Sequence, residues 1–151
     1  MTTIEEVVCK VECQELVQRF ARFRDQPEDV GFDDVFADDV AFVATGSHPM
    51  LGADGAMRGA ELRALLTAEP QVPFHVLHVF SNVLIVPTGP DTATGTAYMT
   101  EYRVRENTQE QLPRPMPSTP ALIGDRRFEF RLTASGWRIC RYEICPVLAA
   151  E

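Results

Sequence analysis

The sequence lacks the features that mark membrane, secreted and nucleic-acid-binding proteins. No run of about eighteen apolar residues is present, so no transmembrane helix is predicted. The first residues have no basic segment followed by an apolar core, as a signal peptide would have. With 14 basic and 22 acidic residues, the net charge of −8 disfavours nucleic acid and anionic membranes as partners. We therefore expect a cytoplasmic protein that takes a small apolar or cationic molecule, or another protein.

The four cysteines do not have the spacing of a metal or redox site. Cys9 and Cys13 are four residues apart and Cys140 and Cys145 are five apart, whereas zinc and redox motifs use the closer C-x-x-C pair. We expect buried free thiols, with a disulfide or a metal site as the alternative. The sequence also lacks the glycine pattern of a dinucleotide-binding fold and a phosphate-binding loop. No cofactor and no metal are predicted.

The features that are present describe one domain spanning residues 1–151. Thr3 and Glu6 have the Thr-x-x-Glu form of a capping box, and apolar residues then recur at helical spacing, which predicts a long helix over Ile4–Arg24. Pro27 ends it, because the residue before a proline avoids the helical region. The patterns that follow predict two short helices over Glu28–Ala37 and Ala60–Leu66, a strand over Val40–Thr45 and a glycine-rich loop over 46–59.

The second half of the chain has the composition of β-strands. Runs rich in β-branched and aromatic residues predict four strands over Phe74–Val86, Thr92–Arg105, Ile123–Thr133 and Trp137–Val147. Short turn-forming links join the first two and the last two, which suits antiparallel hairpins. Segment 106–122 between the pairs holds four prolines and is expected to be an extended excursion. Helices followed by long antiparallel strands predict an α+β fold, with the helices against a curved sheet.

Four segments, in this order, are similar to those of one known family. They are the entry to the first strand in Phe36–Phe42, a His-x-x-x-Asn strand in His78–Asn82, the turn Asp91–Gly95 and the last-strand entry in Gly136–Arg141. Together they make the chain resemble the SnoaL-like domains of the nuclear-transport-factor-like superfamily. The resemblance implies that the curled antiparallel sheet forms a cone around the long N-terminal helix, with two shorter helices, and encloses an apolar pocket. It also implies a homodimer formed through the sheet.

The resemblance further implies a catalytic pair. Asp25 and His78 occupy positions similar to the Asp-His pair that removes a proton in scytalone dehydratase, bile acid 7α-dehydratase and hexachlorocyclohexane dehydrochlorinase. An imidazole titrates near neutral pH, and a carboxylate on its other nitrogen fixes the tautomer. Glu101 is a third catalytic candidate, since it lies where bile acid 7α-dehydratase has a carboxylate. The alternatives are a turn aspartate, a core histidine and a solvated strand glutamate.

Side-chain alternation along the strands sorts the residues around this pair. It predicts that His78, Phe80, Asn82 and Leu84 share one face, opposite to His75. Glu101 lies on the other face of its strand from Tyr98 and Tyr102, and the pattern leaves open which face is inward. Arg126, Arg127 and Arg141 are expected to be surface or interface charges. The predicted substrate-binding residues, for several of which a plain core role is the alternative, are Phe20, Phe80, Asn82, Tyr98, Phe128 and Phe130.

Phe20 departs from the family pattern, because the dehydratases carry a proton-donating tyrosine at that position. Tyr98, Tyr102 or Asn82 would have to replace that donor. The first hypothesis is a cofactor-independent lyase or isomerase, similar to a dehydratase or cyclase, acting on an apolar polycyclic, polyketide or terpenoid-like substrate. The alternative is a non-catalytic ligand-binding or assembly module, since Gly124–Phe128 and Gly136–Ile139 also resemble the β subunits of ring-hydroxylating dioxygenases.

Overall fold

The structure is a computed structural model that describes residues 2–45, 51, 55–68, 74–105 and 117–149. Three helices and six strands follow one another along the chain. They are α1 Ile4–Asp25, α2 Phe32–Val35, β1 Phe36–Ala44, β2 Ala56–Arg58, α3 Gly59–Thr67, β3 Phe74–Pro87, β4 Thr92–Arg105, β5 Leu122–Thr133 and β6 Gly136–Ala149. Most of the loop predicted over 46–59 and most of the proline-rich excursion lie outside the described residues.

Helix α1 begins and ends where local chemistry predicts. The Thr3 hydroxyl accepts a hydrogen bond from the Glu6 N–H at 3.2 Å, and the Glu6 carboxylate accepts one from the Thr3 N–H at 3.0 Å. This capping box satisfies two amides that a helix start leaves unpaired. At the other end the Gln26 N–H donates to the carbonyl of Arg22 at 2.7 Å, and Pro27 follows. Asp25 is therefore the last helical residue.

The six strands form one curled, unclosed sheet in the order β2-β1-β6-β5-β4-β3. The long helix α1 packs against β3 and β6. The α+β class and the sheet curled around a long N-terminal helix are thus confirmed. The expectation of a wholly antiparallel sheet is wrong, because β1 runs parallel to β6. The enclosed apolar pocket stays a prediction.

The region between α1 and β1 differs most from the sequence prediction. The helix expected over Glu28–Ala37 is a single turn, Phe32–Val35, and β1 already begins at Phe36. The local apolar residues have helical spacing, but Phe36 pairs with Ile139 of β6. This strand pairing makes the segment extended from Phe36 onward, in spite of its helical pattern. The other predicted helices and strands match the structure to within about two residues.

Strand β3 contains a bulge that changes which side chains face inward. The pairing with β4 shifts by one residue between Ser81 and Leu84, and Asn82 has a positive φ of 53°. An extra residue in one strand reverses the alternation beyond it. Phe80 is buried before the bulge and Ile85 is buried after it. The prediction that Asn82 and Leu84 share a face with His78 is therefore wrong: both are exposed.

Aromatic rings fill the space between α1 and the sheet. Phe20 lies in the centre of this group and is 2% exposed. Its ring centroid lies 4.8 Å from that of Tyr142 in an edge-to-face contact. Its other ring neighbours, at 5.2 to 5.8 Å, are Phe36, Phe42 and Phe80. Such contacts add to the stabilisation that burial of the apolar area provides.

Because Phe20 contacts four rings, Phe20→Ala should lower the free energy of unfolding by about 3–5 kcal/mol. Phe20→Leu keeps most of the buried volume and should cost clearly less. Equilibrium urea denaturation followed by fluorescence measures both variants. Val7→Ala, on the exposed side of the same helix, is the control and should change stability little. A loss below about 1 kcal/mol for Phe20→Ala would contradict this role in the core.

Candidate active site

Asp25 and His78 form a two-point contact between the end of α1 and strand β3. The Nδ1 atom of His78 lies 2.6 Å from Oδ1 of Asp25. The backbone N–H of His78 donates to Oδ2 of the same carboxylate at 2.9 Å. Both side chains are nearly buried, with exposures of 12% for His78 and 10% for Asp25. One carboxylate therefore holds both the backbone and the ring of the histidine.

The contact with Asp25 determines which ring nitrogen can act as a base. An ionised carboxylate only accepts hydrogen bonds, so Nδ1 of His78 carries the proton in this arrangement. In the neutral ring Nε2 then has the free electron pair. The carboxylate also stabilises the imidazolium that forms when Nε2 takes up a proton.

Glu101 lies directly opposite His78 in the pairing of β3 and β4. Its Oε2 atom is 3.8 Å from Nε2 of His78, which is too long for a direct hydrogen bond. Its other oxygen, Oε1, accepts a hydrogen bond from Nε of Arg103, a residue that is half exposed. The Glu101 side chain is itself only 10% exposed. The structure thus brings all three predicted catalytic candidates together on the inner face of the sheet.

Comparison with protein families identifies the family of this domain. The family model of the SnoaL-like domain matches residues 5–143. This chain belongs to the SnoaL-like domain family. A comparison with curated protein sequences gives no match.

Solved structures show the same fold at low sequence identity. An NTF2-like protein with a cystatin-like fold from Novosphingobium aromaticivorans has a TM-score of 0.68 and 19% identity, covering 95% of this chain and 86% of its own. ActVI-ORFA from Streptomyces coelicolor has a TM-score of 0.66 and 14% identity, covering 90% and 95%. A hexachlorocyclohexane dehydrochlorinase, LinA type 2, has a TM-score of 0.63 and 10% identity, covering 91% and 84%. These likenesses establish the fold alone.

The other predicted site residues of this SnoaL-like domain divide into two groups. Phe20, Phe80, Phe128 and Phe130 are buried and belong to the aromatic core, so their role in substrate binding stays a prediction. Phe80 is the nearest of them to the pair along the chain, two residues after His78 on the same face. The remaining residues, predicted as substrate contacts or replacement proton donors, are Asn82, Tyr98 and Tyr102.

These three residues do not line the interior. The face of β4 that carries Glu101 is the inner one, since Ala97 and Met99 on that face are buried while Tyr98 is 51% exposed. Tyr102 shares the outer face with Tyr98 by alternation. Asn82 is turned outward by the bulge in β3. The structure therefore does not bring these three residues together with Asp25, His78 and Glu101 on the inner face.

Two interior residues escaped the sequence prediction. Arg126, expected at the surface, is 2% exposed, and its Nε donates to the Tyr142 hydroxyl at 2.9 Å. Its position was detectable, because Arg126 alternates in phase with the core residues Phe128 and Phe130. Tyr142 is a buried phenol whose ring lies against Phe20. Its hydroxyl accepts from Arg126, so its own proton is free to be donated.

The cysteines of this SnoaL-like domain are all free thiols. Cys9 and Cys13 are buried on the inner side of α1, whereas Cys140 and Cys145 of β6 are only partly buried. Burial raises the pKa of the Cys9 and Cys13 thiols, so they stay protonated. Within residues 2–45, 51, 55–68, 74–105 and 117–149, no group of side chains is placed to hold a metal ion. None of the helices in these ranges has the length and apolar character needed to cross a membrane.

Burial raises the pKa of Tyr142 to about 12, although the positive charges of Arg126 and Arg24 act in the opposite direction. Among the three tyrosines of the chain, an ultraviolet titration of the native protein should show one that ionises only near this pH. Tyr142→Phe should remove that step. Because the folded pKa lies above the unfolded value, the associated stability is fully present below about pH 10 and is lost as the pH rises towards 12. Complete tyrosine ionisation by pH 10.5 in the folded protein would contradict the prediction.

Proposed function

We propose that this SnoaL-like domain is a cofactor-independent lyase or isomerase, similar to a dehydratase or cyclase. Its substrate is an apolar polycyclic, polyketide or terpenoid-like carbonyl compound. The observation that carries the proposal is the two-point contact of Asp25 with His78, which leaves Nε2 of the histidine as the available base. General-base catalysis by a positioned group contributes a factor of roughly 10²–10⁴ in rate.

The proposed step moves one proton and keeps the charge balanced. Nε2 of His78 takes the proton from a carbon beside the carbonyl, and the electron pair of that C–H bond moves into an enolate. His78 becomes an imidazolium between two carboxylates, Asp25 at 2.6 Å from Nδ1 and Glu101 at 3.8 Å from Nε2. The enolate then either expels a leaving group from the next carbon or is reprotonated at another carbon. The first outcome is elimination and the second is isomerisation.

Phe20 removes the phenol that the family dehydratases use, so the proton for a leaving group needs another source. Tyr142 is the candidate that the interior offers, because its hydroxyl proton is not committed to Arg126. With a pKa raised to about 12, Tyr142 is a neutral donor throughout the physiological range. In this proposal Tyr142 of β6 replaces the proton-donating tyrosine whose position Phe20 occupies.

Deuterium exchange of 2-tetralone in D₂O, followed by NMR, tests the proton abstraction without knowledge of the natural substrate. The wild-type chain should exchange the protons beside the carbonyl faster than buffer alone. His78→Asn should lower the enzymatic rate by at least a factor of about 10². Asp25→Asn should lower it similarly, because the ring then loses the partner that fixes its tautomer.

His75→Asn is the matched control, since His75 lies on the other face of the same strand and should leave the exchange rate unchanged. Thermal melting of each variant separates loss of chemistry from loss of fold. Exchange by the wild type that persists in a folded His78→Asn variant would exclude His78 as the base. No exchange of any ketone tested, by a chain that still binds those ketones, would favour the ligand-binding module instead.

We also propose that a second copy of the chain covers the outer face of the sheet. Leu77 and Val79 of β3 and Tyr98 of β4 share this face and are between 41% and 51% exposed. Burial of adjacent apolar side chains favours association.

Light scattering should give twice the 16.9 kDa chain mass, and Val79→Lys should give the monomer mass. A monomeric wild-type chain would overturn the proposal, and Val7→Lys on the exposed side of α1 is the control.

A further inference from the structure

Arg126 is a buried cation that lacks a carboxylate partner among the described residues. It is 2% exposed, and its Nε and Nη1 donate to neutral oxygens, the Tyr142 hydroxyl and the Asp125 carbonyl, each at 2.9 Å. Burying a charge is costly unless an opposite charge or strong hydrogen bonds offset it. The positive charge of Arg126 is therefore only partly compensated.

The shape of strand β5 directs this charge towards the predicted catalytic residues. A Cβ atom at Gly124 would meet Cζ of Arg126 at 3.0 Å, so the guanidinium lies over the glycine. Gly124 pairs with Met99, two residues before Glu101 on the same face of β4. The side chain of Arg126 thus extends along the inner face in the direction of Glu101. Alanine at position 124 would occupy the space that the guanidinium needs.

Arg24 brings a second cation to the same region. It lies one helical turn after Phe20, whose ring packs on Tyr142, and it immediately precedes Asp25. Burial lowers the pKa of the Arg24 guanidinium, while the charges of Tyr142, Glu101 and Asp25 act in the opposite direction. It makes no hydrogen bond or ion pair with the part of the chain that the structure describes. No fully buried side-chain nitrogen or oxygen among the described residues lacks a hydrogen-bond partner. The unpaired N–H groups of Arg24 are therefore not fully buried and remain accessible to a ligand.

The nearby carboxylates are already engaged. Asp25 accepts from the backbone and the ring of His78, and Glu101 accepts from Arg103. Neither forms an ion pair with Arg24 or Arg126. Arg126 thus donates to the Tyr142 hydroxyl, Arg24 acts electrostatically on the same phenol, and neither guanidinium has an ion-pair partner among the described residues. This arrangement suits a negatively charged oxygen from a ligand.

We propose that Arg24 and Arg126 bind the oxygen that becomes negative when His78 deprotonates the neighbouring carbon. This inference rests on the proposed function and deepens it: the carbonyl substrate is neutral when it binds, and its enolate oxygen then meets two cations. Hydrogen bonds from charged donors are roughly twice as strong as neutral ones, and a site shielded from water strengthens them further. Arg24 and Arg126 are thus anion-binding residues, whereas His78 is the base.

The test uses 2-naphthol, because its ionised form copies the shape and charge of the enolate of 2-tetralone. Absorption and fluorescence distinguish bound naphthol from bound naphtholate. The wild-type chain should raise the ionised fraction of the bound probe above that in buffer at the same pH. Arg24→Gln should weaken binding by roughly ten- to a hundredfold and remove most of the naphtholate signal. Arg24→Lys keeps the charge and should restore part of both.

Arg24 is the residue substituted in this test, because Arg126 lies in the core, where substitution disturbs folding. Arg131→Gln is the matched control, since Arg131 pairs with Asp39 away from the site. Binding of uncharged naphthalene should be equal in all these variants, which shows that the pocket is intact. Undiminished naphtholate binding by Arg24→Gln, or no binding of 2-naphthol by the wild type, would overturn the proposal. A wild-type preference for 2-naphthoate that Arg24→Gln loses would assign the site to a permanent carboxylate and overturn the enolate assignment.

Two results separate this inference from the proposed function. If the wild type ionises bound 2-naphthol but exchanges no protons of 2-tetralone, the anion site stands and the proposed chemistry fails. If exchange occurs and Arg24→Gln retains full naphtholate binding, the chemistry stands and the anion site fails. His78→Asn should keep the binding of 2-naphthol while losing exchange, because the base and the anion site are different residues.

Discussion

The arrangement of the site depends on one carboxylate. Asp25 ends helix α1, where the helix dipole disfavours a negative charge, so the residue needs donors from elsewhere. The backbone N–H and the ring of His78 supply them at 2.9 and 2.6 Å. The same contact joins the end of the helix to the middle of strand β3 and orients the imidazole. Glu101 lies opposite His78 because β4 pairs with β3 in this register.

Much of this was accessible from the sequence because the relevant signals are local. The capping box at Thr3, the stop at Pro27 and the alternating strands depend on a few neighbouring residues, and their bounds match the structure closely. The pairing of Asp25 with His78 spans 53 residues and came from family resemblance rather than from local pattern. The predicted start of strand β1 was wrong because the strand begins at Phe36, where pairing with Ile139 of β6 determines it.

The errors around the site concern which residues of a strand face inward, and they have two causes: a bulge in β3 and a reliance on residue type in β5. In β3 the bulge at Asn82 reverses the phase of alternation, and a bulge depends on the register with β4 rather than on the strand itself. In β5 the alternation of buried residues is unbroken from Arg126 to Phe130, so alternation already placed Arg126 inside. The expectation of a surface arginine followed residue type instead. Where pattern and residue type disagree, a buried charge points to a site.

The balance of charge inside the domain bears on the kind of ligand it accepts. The chain as a whole carries a net charge of −8, which gives permanent anions no long-range attraction. Inside, Arg24 and Arg126 present positive charge beside Tyr142, while Asp25 and Glu101 are engaged by other donors. A neutral carbonyl compound enters such a site without first losing the hydration of a charge. In the proposed reaction its oxygen becomes negative only as His78 removes the proton, so the proposed contact with the arginines strengthens along the reaction. An interaction that grows between the ground state and the transition state accelerates the chemical step, whereas one present throughout only tightens binding.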